Sequence, residues 1–244
     1  GEPHYYFVHA RNCIYECDYC YLQGYFNSPD IVLYTNHNEI AQEITKTAEM
    51  HPDTTTWFHA GEFSDSLALT HISGELGFYF DLFRKLPTAK LELRTKSANI
   101  KELKNMTPNK NIIISYSLSP AEKIKEHELK TATYKQRLSC IKILSQLGHP
   151  IGIHLDPIIY SHDFENQYET LLNDLAKHVD INQLEYISIG VVRFTKDVFN
   201  QVKSNYPDSA IHHQSFITSF DGKVRYKRPV RMNIMKTVKK LCVD

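Results

Sequence analysis

The chain has 244 residues, enough for one large α/β domain with a substantial core. Its 28 basic and 28 acidic residues cancel, so net charge offers no argument for nucleic acid and any basic patch must be local. No apolar run is long enough to span a membrane, and the five cysteines do not form a disulfide framework.

Strands and helices alternate along the chain. A strand is expected over His4–Ala10, then a helix over Asn38–Glu49 and a strand over Thr54–Ala60. A helix over Leu76–Lys85 follows, with strands at Lys90–Lys96 and Asn111–Leu118. The rest reads as a helix over Thr131–Leu147, a strand over Pro150–Ile158, a helix over Asn166–His178 and a strand over Leu184–Val192. Such alternation predicts parallel βα units. About six fit the length, fewer than the eight of a closed barrel. The expected fold class is therefore α/β, a partial, open (β/α)6 barrel over residues 1–210. Residues 211–244 form a basic hairpin and helix packed on it, with Asp221-Gly222 as the turn signal. No linker, repeat or low-complexity tract interrupts the chain. It begins with Gly rather than Met, which reads as a trimmed or processed start, and no signal-peptide pattern is visible.

The sharpest feature follows the first strand. Cys13, Cys17 and Cys20 have the spacing C-x3-C-x2-C. Three thiolates so spaced can hold three irons of a [4Fe–4S] cube on one loop, leaving the fourth iron open to chelate a small molecule. The competing reading is a Cys3His zinc site completed by His4, His9 or His59, which makes the chain a zinc-stabilised nucleic-acid-binding module. Cys140 and Cys242 are isolated, and Cys140 falls within a helical run where it packs in the core. An oxygen-sensitive cluster needs a reducing compartment, so cytoplasm is expected.

The strand ends carry polar residues, and in βα folds chemistry gathers there. Gly61 lets a backbone approach closely, and Glu62 can accept from an ammonium group. Lys96 or Arg193 can pair with a carboxylate. Ser64 and Ser117 lie at the same rim. In the tail, Lys223, Arg225, Tyr226, Arg228 and Arg231 interleave cations with an aromatic ring, a pattern suited to phosphates and stacked bases.

The segment from Cys13 to Gln23 resembles the spore photoproduct lyase family of radical S-adenosylmethionine (AdoMet) proteins. Weaker matches follow in order at Phe58 through Gly74, Thr95-Lys96, Ser115-Tyr116-Ser117, Gly152 through Pro157, Arg193-Phe194-Thr195 and Asp221 through Tyr226. The resemblance implies a partial barrel of radical SAM type, a [4Fe–4S] cluster on Cys13, Cys17 and Cys20, and AdoMet cleaved to a 5′-deoxyadenosyl radical. It implies AdoMet contacts at Tyr21, Ser64, Lys96 and Ser117. Tyr19 and Tyr21 match a tyrosine pair that passes the radical back, and the basic hairpin matches an element that wedges into damaged DNA. Reducing the cluster calls for an electron donor such as a flavodoxin or ferredoxin.

Two departures modify that expectation. The family places a hydrogen-donating cysteine on the loop after the second strand, where this chain has Glu62. The O–H bond of a carboxylic acid is far stronger than S–H and does not serve as that donor. The family also carries a sizeable segment before the cluster, against twelve residues here. The expected activity is a radical SAM lyase or isomerase that acts on a thymine-derived nucleobase, nucleotide or DNA without being a true photoproduct lyase. The alternative is repair of thymine dimers through a different hydrogen donor.

Overall fold

The computed structural model describes residues 1–243. Six strands form one sheet: β1 (His4–Phe7), β2 (Thr56–Ala60), β3 (Ala89–Thr95), β4 (Ile112–Ser117), β5 (Ile151–Ile158) and β6 (Leu184–Val191). They pair in chain order and every pairing is parallel. β1 and β6 remain edges, so the sheet curls into a half-barrel without closing. The sequence-expected strands all form, each within two residues of its expected start. The first is shorter than expected, because Ala10–Arg11 leaves the sheet to pair with Val32–Leu33.

Alternation along the strands separates the two faces of the sheet. Phe58 and Ala60, Leu91 and Leu93, Ile112 and Ile114, Ile151 and Ile153 are buried in the core. Each fully buried Ile or Leu contributes roughly 1.5–3 kcal/mol. Of the helices α1 (His37–Glu49), α2 (Leu76–Arg84), α3 (Ala121–His127), α4 (Tyr134–Gln146) and α5 (Phe164–Ala176), all but α3 supply the other half of that core, and α3 buries Ile124 apart from it. The opposite positions on the strands are polar: His59, Glu92, Arg94, Ser115, Ser117 and His154.

α4 starts later than its periodicity predicts. Thr133 is its N-cap: its hydroxyl accepts from the Gln136 amide at 3.3 Å, and the Gln136 side chain accepts from the Thr133 amide at 2.8 Å. This box positions Arg137 one turn into the helix, where it is fully buried.

The tail forms β7 (Arg193–Phe194), α6 (Lys196–Asn205), β8 (Phe216–Thr218), β9 (Val224–Tyr226) and α7 (Arg228–Leu241). The hairpin expected over Asp221–Arg231 is displaced: β8 and β9 flank the turn, and Arg228 already opens α7. Pro229 in the first turn of α7 explains the early start, since its fixed φ suits a helix N-terminus. α7 packs against α5 and β6. No helix among the described residues is long and apolar enough to cross a membrane.

Candidate active site

The cysteine loop is held from outside itself. Glu16–Cys17 pairs antiparallel with Glu128–Leu129 just after α3. The Asp18 amide donates to the His127 carbonyl at 3.0 Å, and the Asp18 carboxylate takes His127 Nδ1 at 2.9 Å and the Ser209 hydroxyl. Tyr19 donates to Glu128, whose carboxylate pairs with Arg137 at 2.6 Å. Arg137 also donates to the carbonyls of Ala132 and Ser117, both at 2.9 Å. Glu128 and Arg137 are both buried. Burial opposes the Glu128 charge, but Arg137, Lys96 and the Tyr19 hydrogen bond together outweigh it and hold the carboxyl below its ordinary range.

Cys13, Cys17 and Cys20 all line one cavity of about 440 Å³ on the concave side of the sheet. Burial disfavours their thiolates, pushing Cys13 up to about 12 and raising Cys17 and Cys20. The Lys96 ammonium acts the other way on all three. Three sheltered soft donors beside one cation fit a bound cationic cluster, which would reverse the burial penalty.

The zinc reading lacks its fourth ligand. His4 Nδ1 and His59 Nε2 bond each other at 2.8 Å, and His9 lies 3.3 Å from Glu75. Among the described residues no three His, Cys, Asp or Glu side chains converge on one metal ion. A four-iron cube instead takes each thiol on a separate iron.

The rim residues expected from the sequence meet at this cavity. Tyr19, Tyr21, Gly61, Glu62, Ser64, Lys96, Ser117 and Arg193 all line it. Gly61 has φ +82°, and a Cβ there would meet Ser66 Oγ at 2.5 Å, so only glycine makes this turn. Tyr21 donates to the Glu62 carbonyl, while the Glu62 carboxylate has no hydrogen-bond partner among the described residues. The Lys96 ammonium sits 5.8 Å from the Tyr19 ring centre. Ser117 accepts from Arg94 Nε at 3.0 Å.

Asp65 and Arg94 organise the rim. The buried Asp65 carboxylate accepts from the amides of Leu67, Ala68 and Lys96 and from the Thr95 hydroxyl, at 2.6–3.0 Å. It thereby locks the loop after β2 to the end of β3. Arg94 spans β3 to β5 through the Asp156 carbonyl at 3.0 Å.

Deeper in the cavity a second cluster was missed as a unit. Glu92 accepts from His154 Nε2 at 2.6 Å and from His59 Nδ1 and Tyr186. Tyr186 and Ser115 hydroxyls bond at 2.6 Å. The signal was present in the strands: Phe-His-Ala, Leu-Glu-Leu and Ile-His-Leu each set one polar residue between buried apolar ones.

The tail candidates lie elsewhere, and none of them lines the cavity. Tyr226, expected to stack on substrate, is buried at 2% exposure. Its hydroxyl donates to Gln214 and accepts from the Tyr160 amide. Arg225 is engaged by Ser219 and Asp221 within the hairpin, and Arg231 donates to the Tyr226 carbonyl. Lys223 is half-buried beside the turn, and Arg228 is exposed at the start of α7.

This arrangement of cysteine loop and half-barrel has relatives. Residues 3–235 match the family model for spore photoproduct lyase. The chain belongs to the spore photoproduct lyase family. The spore photoproduct lyase of Clostridium acetobutylicum is 24% identical over 203 residues, covering 83% of this chain and 60% of the lyase. That of Bacillus subtilis is 26% identical over 205 residues with the same coverages. The chain thus spans 60% of the length of these curated relatives. A solved spore photoproduct lyase variant with bound AdoMet and dinucleoside spore photoproduct superposes with a TM-score of 0.88. It is 22% identical, over 96% of this chain and 72% of that one. A spore photoproduct lyase complexed with the dinucleoside gives 0.86 at 23% identity, over 95% and 71%. At such identities the match establishes the shared half-barrel fold.

Proposed function

We propose that this chain is a radical SAM enzyme that binds a [4Fe–4S] cluster through Cys13, Cys17 and Cys20 and acts on a thymine-derived nucleobase or nucleotide. The observation that carries the reading is the convergence of the three thiols with Glu62, Ser64, Lys96, Ser117 and Arg193 on one cavity. Cluster and AdoMet together would supply a 5′-deoxyadenosyl radical able to take hydrogen from an unactivated carbon. Glu62 is suited to the AdoMet ammonium, and Lys96 or Arg193 to its carboxylate. The oxygen sensitivity of such a cluster suits a reducing cytoplasm and a flavodoxin- or ferredoxin-like electron donor. Residues 1–210 carry the chemistry in this reading, with residues 211–244 packed on them. The hairpin offers a fully exposed Phe220, with Lys223 and Arg228 nearby, for nucleic-acid contact.

Glu62 separates this chain from a thiol-dependent lyase. A substrate radical here must recover its hydrogen without a cysteine on that loop. The simplest course is rearrangement or cleavage of the substrate radical followed by return of the same hydrogen atom from 5′-deoxyadenosine. Atoms then balance with no external reductant consumed per turnover. A second reading is dimer repair through Tyr19 and Tyr21. It is favoured over any role for Cys140, because both tyrosines line the cavity while Cys140 is buried on α4, 3.8 Å from the Ala98 carbonyl.

The test incubates reduced, cluster-loaded protein with the methyl-bridged thymine dinucleoside and, separately, with thymine nucleotides in deuterated buffer. Product without solvent deuterium and without net AdoMet consumption is expected. Clean, multiple-turnover conversion of the dinucleoside to two thymines would establish the repair reading instead. Absence of AdoMet cleavage under every condition would refute both.

A further inference from the structure

We propose that the aromatic patch at the edge of the cavity, built from Tyr25, Phe26 and Phe63 with Arg11 beside it, is a stacking platform for an unpaired nucleobase that flanks the reacting one. The proposal rests on the functional reading above and extends it: the substrate is a strand with at least one nucleotide beyond those the cavity takes.

The segment from Tyr21 to Tyr34 leaves the cysteine loop and returns to the start of the barrel. Val32–Leu33 pairs with Ala10–Arg11, and the Tyr34 amide donates to the His9 carbonyl at 3.0 Å. Asn12 sits in the left-handed region at φ +62°, which asparagine tolerates. From there its side-chain amide donates to the carbonyls of Ser28 at 2.8 Å and Asp30 at 2.6 Å. Gly24 packs on α6, where a Cβ would meet Gln201 Cβ at 3.3 Å. A segment tied at both ends and in its middle presents its side chains in one arrangement, which lowers the ordering cost of binding.

What the segment presents is aromatic. Tyr25 lies 4.8 Å from Phe63 at an interplanar angle of 32°, and Phe26 meets the two rings edge-on at 5.0 and 5.4 Å. Tyr21 meets Tyr25 at 6.0 Å. Tyr21 lines the cavity, and Phe63 falls between Glu62 and Ser64, which line it too, so the patch continues the cavity wall outward. None of Tyr25, Phe26 and Phe63 packs against the main hydrophobic core, and Tyr25 is 54% exposed. Ring surface left open beside a cavity marks a binding surface. Arg11 supplies charge. Its guanidinium lies 5.7 Å from the Phe26 ring centre and 5.5 Å from that of Tyr34. Arg11 is exposed and makes no ion pair among the described residues, and Asp30, the one acid between Tyr21 and Asn36, accepts from the Ser28 hydroxyl at 2.6 Å. Rings for a base and an unpaired cation for the adjoining phosphate are the chemistry of single-strand recognition. An apolar protein surface would instead cover Arg11 without pairing it, which is costly.

The experiment uses cluster-loaded protein with AdoMet but no reductant, so nothing turns over. Equilibrium dialysis measures binding of a thymine dinucleotide and of single strands that extend it by one nucleotide on the 5′ or the 3′ side. The same strands are made with an abasic sugar at the added position. One of the two extensions should bind about five-fold more tightly than the dinucleotide, and its abasic counterpart should lose that gain. Tyr25→Phe should keep the gain. Tyr25→Leu should remove it without a matching loss for the dinucleotide, whereas a ring with only a packing role would weaken both ligands together. Arg11→Gln should reduce the slope of log affinity against log salt for the extended strand by about 0.7. Equal affinity for base-containing and abasic strands in both directions would overturn the platform. That comparison uses the intact protein, so it decides the matter whether or not a variant folds. A gain that survives Tyr25→Leu would also overturn it. Both outcomes leave the radical SAM reading standing. Dialysis detecting no binding of any thymine ligand would remove the thymine assignment and the platform together.

Discussion

The cysteine loop, residues 13–20, and the hairpin, residues 216–226, are both short segments rich in aromatic and charged side chains, yet they are held in opposite ways. The hairpin draws most of its bonds from itself, although β9 also pairs with β7 and Tyr226 accepts from the Tyr160 amide. Ser219 and Lys223 pair across the turn at 2.8 Å, Arg225 folds back onto Ser219 and Asp221, and Phe216 packs on Tyr226 at 4.7 Å. The cysteine loop draws its bonds from far along the chain: His127, Glu128 and Ser209, with Asn205 and Tyr206 on Gln23. Local bonds preserve a shape wherever the segment sits. Long-range bonds fix where the side chains lie relative to the barrel, which is what a cofactor site requires. Cations satisfied within a hairpin have little left to offer a ligand, so its free groups are those outside the internal bonds.

The largest expected effect tests the loop directly. Cys17→Ala should abolish the visible absorbance of the cluster and all reductive cleavage of AdoMet. Retained cleavage would sink the assignment of this loop and erase the contrast with the hairpin.

The next effect concerns the anchor. Arg137→Met leaves Glu128 as an unpaired buried charge beneath the cysteine loop and should cost about 3–5 kcal/mol in chemical denaturation. Combining it with Glu128→Gln removes the orphaned charge and should restore much of that loss. A single substitution that costs under about 1 kcal/mol would mean that the loop does not depend on this pair.

The smallest effect tests the hairpin tip. Phe220→Ala should change stability by no more than about 0.5 kcal/mol, because the ring is fully exposed. If the hairpin meets nucleic acid, the same substitution should weaken oligonucleotide binding by about five-fold or more at fixed salt. Unchanged binding would leave the tip without a role and confine recognition to the cavity.

Local chemistry made much of this legible before any coordinates. The C-x3-C-x2-C spacing is a property of one loop, and the strand and helix periods are set by which side chains alternate toward the core. Asp221-Gly222 marked the turn. The tail misled where composition stood in for contacts. Tyr226 looked like a stacking residue, but its ring completes the core against Phe216 and its hydroxyl binds Gln214 and the Tyr160 amide. Arg225 and Arg231 looked like free cations and are engaged nearby.

The sequence by itself determined the six βα units, the three thiols and the polar strand ends, because each depends on spacing within a few residues. Only the tertiary structure decided which strand ends share a cavity, that Asp65 and Arg94 tie them together, and that Arg137 supports the cysteine loop through Glu128. It alone gathered His59, Glu92, His154 and Tyr186 into one cluster. Those residues are separated by 33 to 94 positions around Glu92: strand register sets His59 opposite it, and the curl of the sheet brings His154 and Tyr186 to it from strands further round.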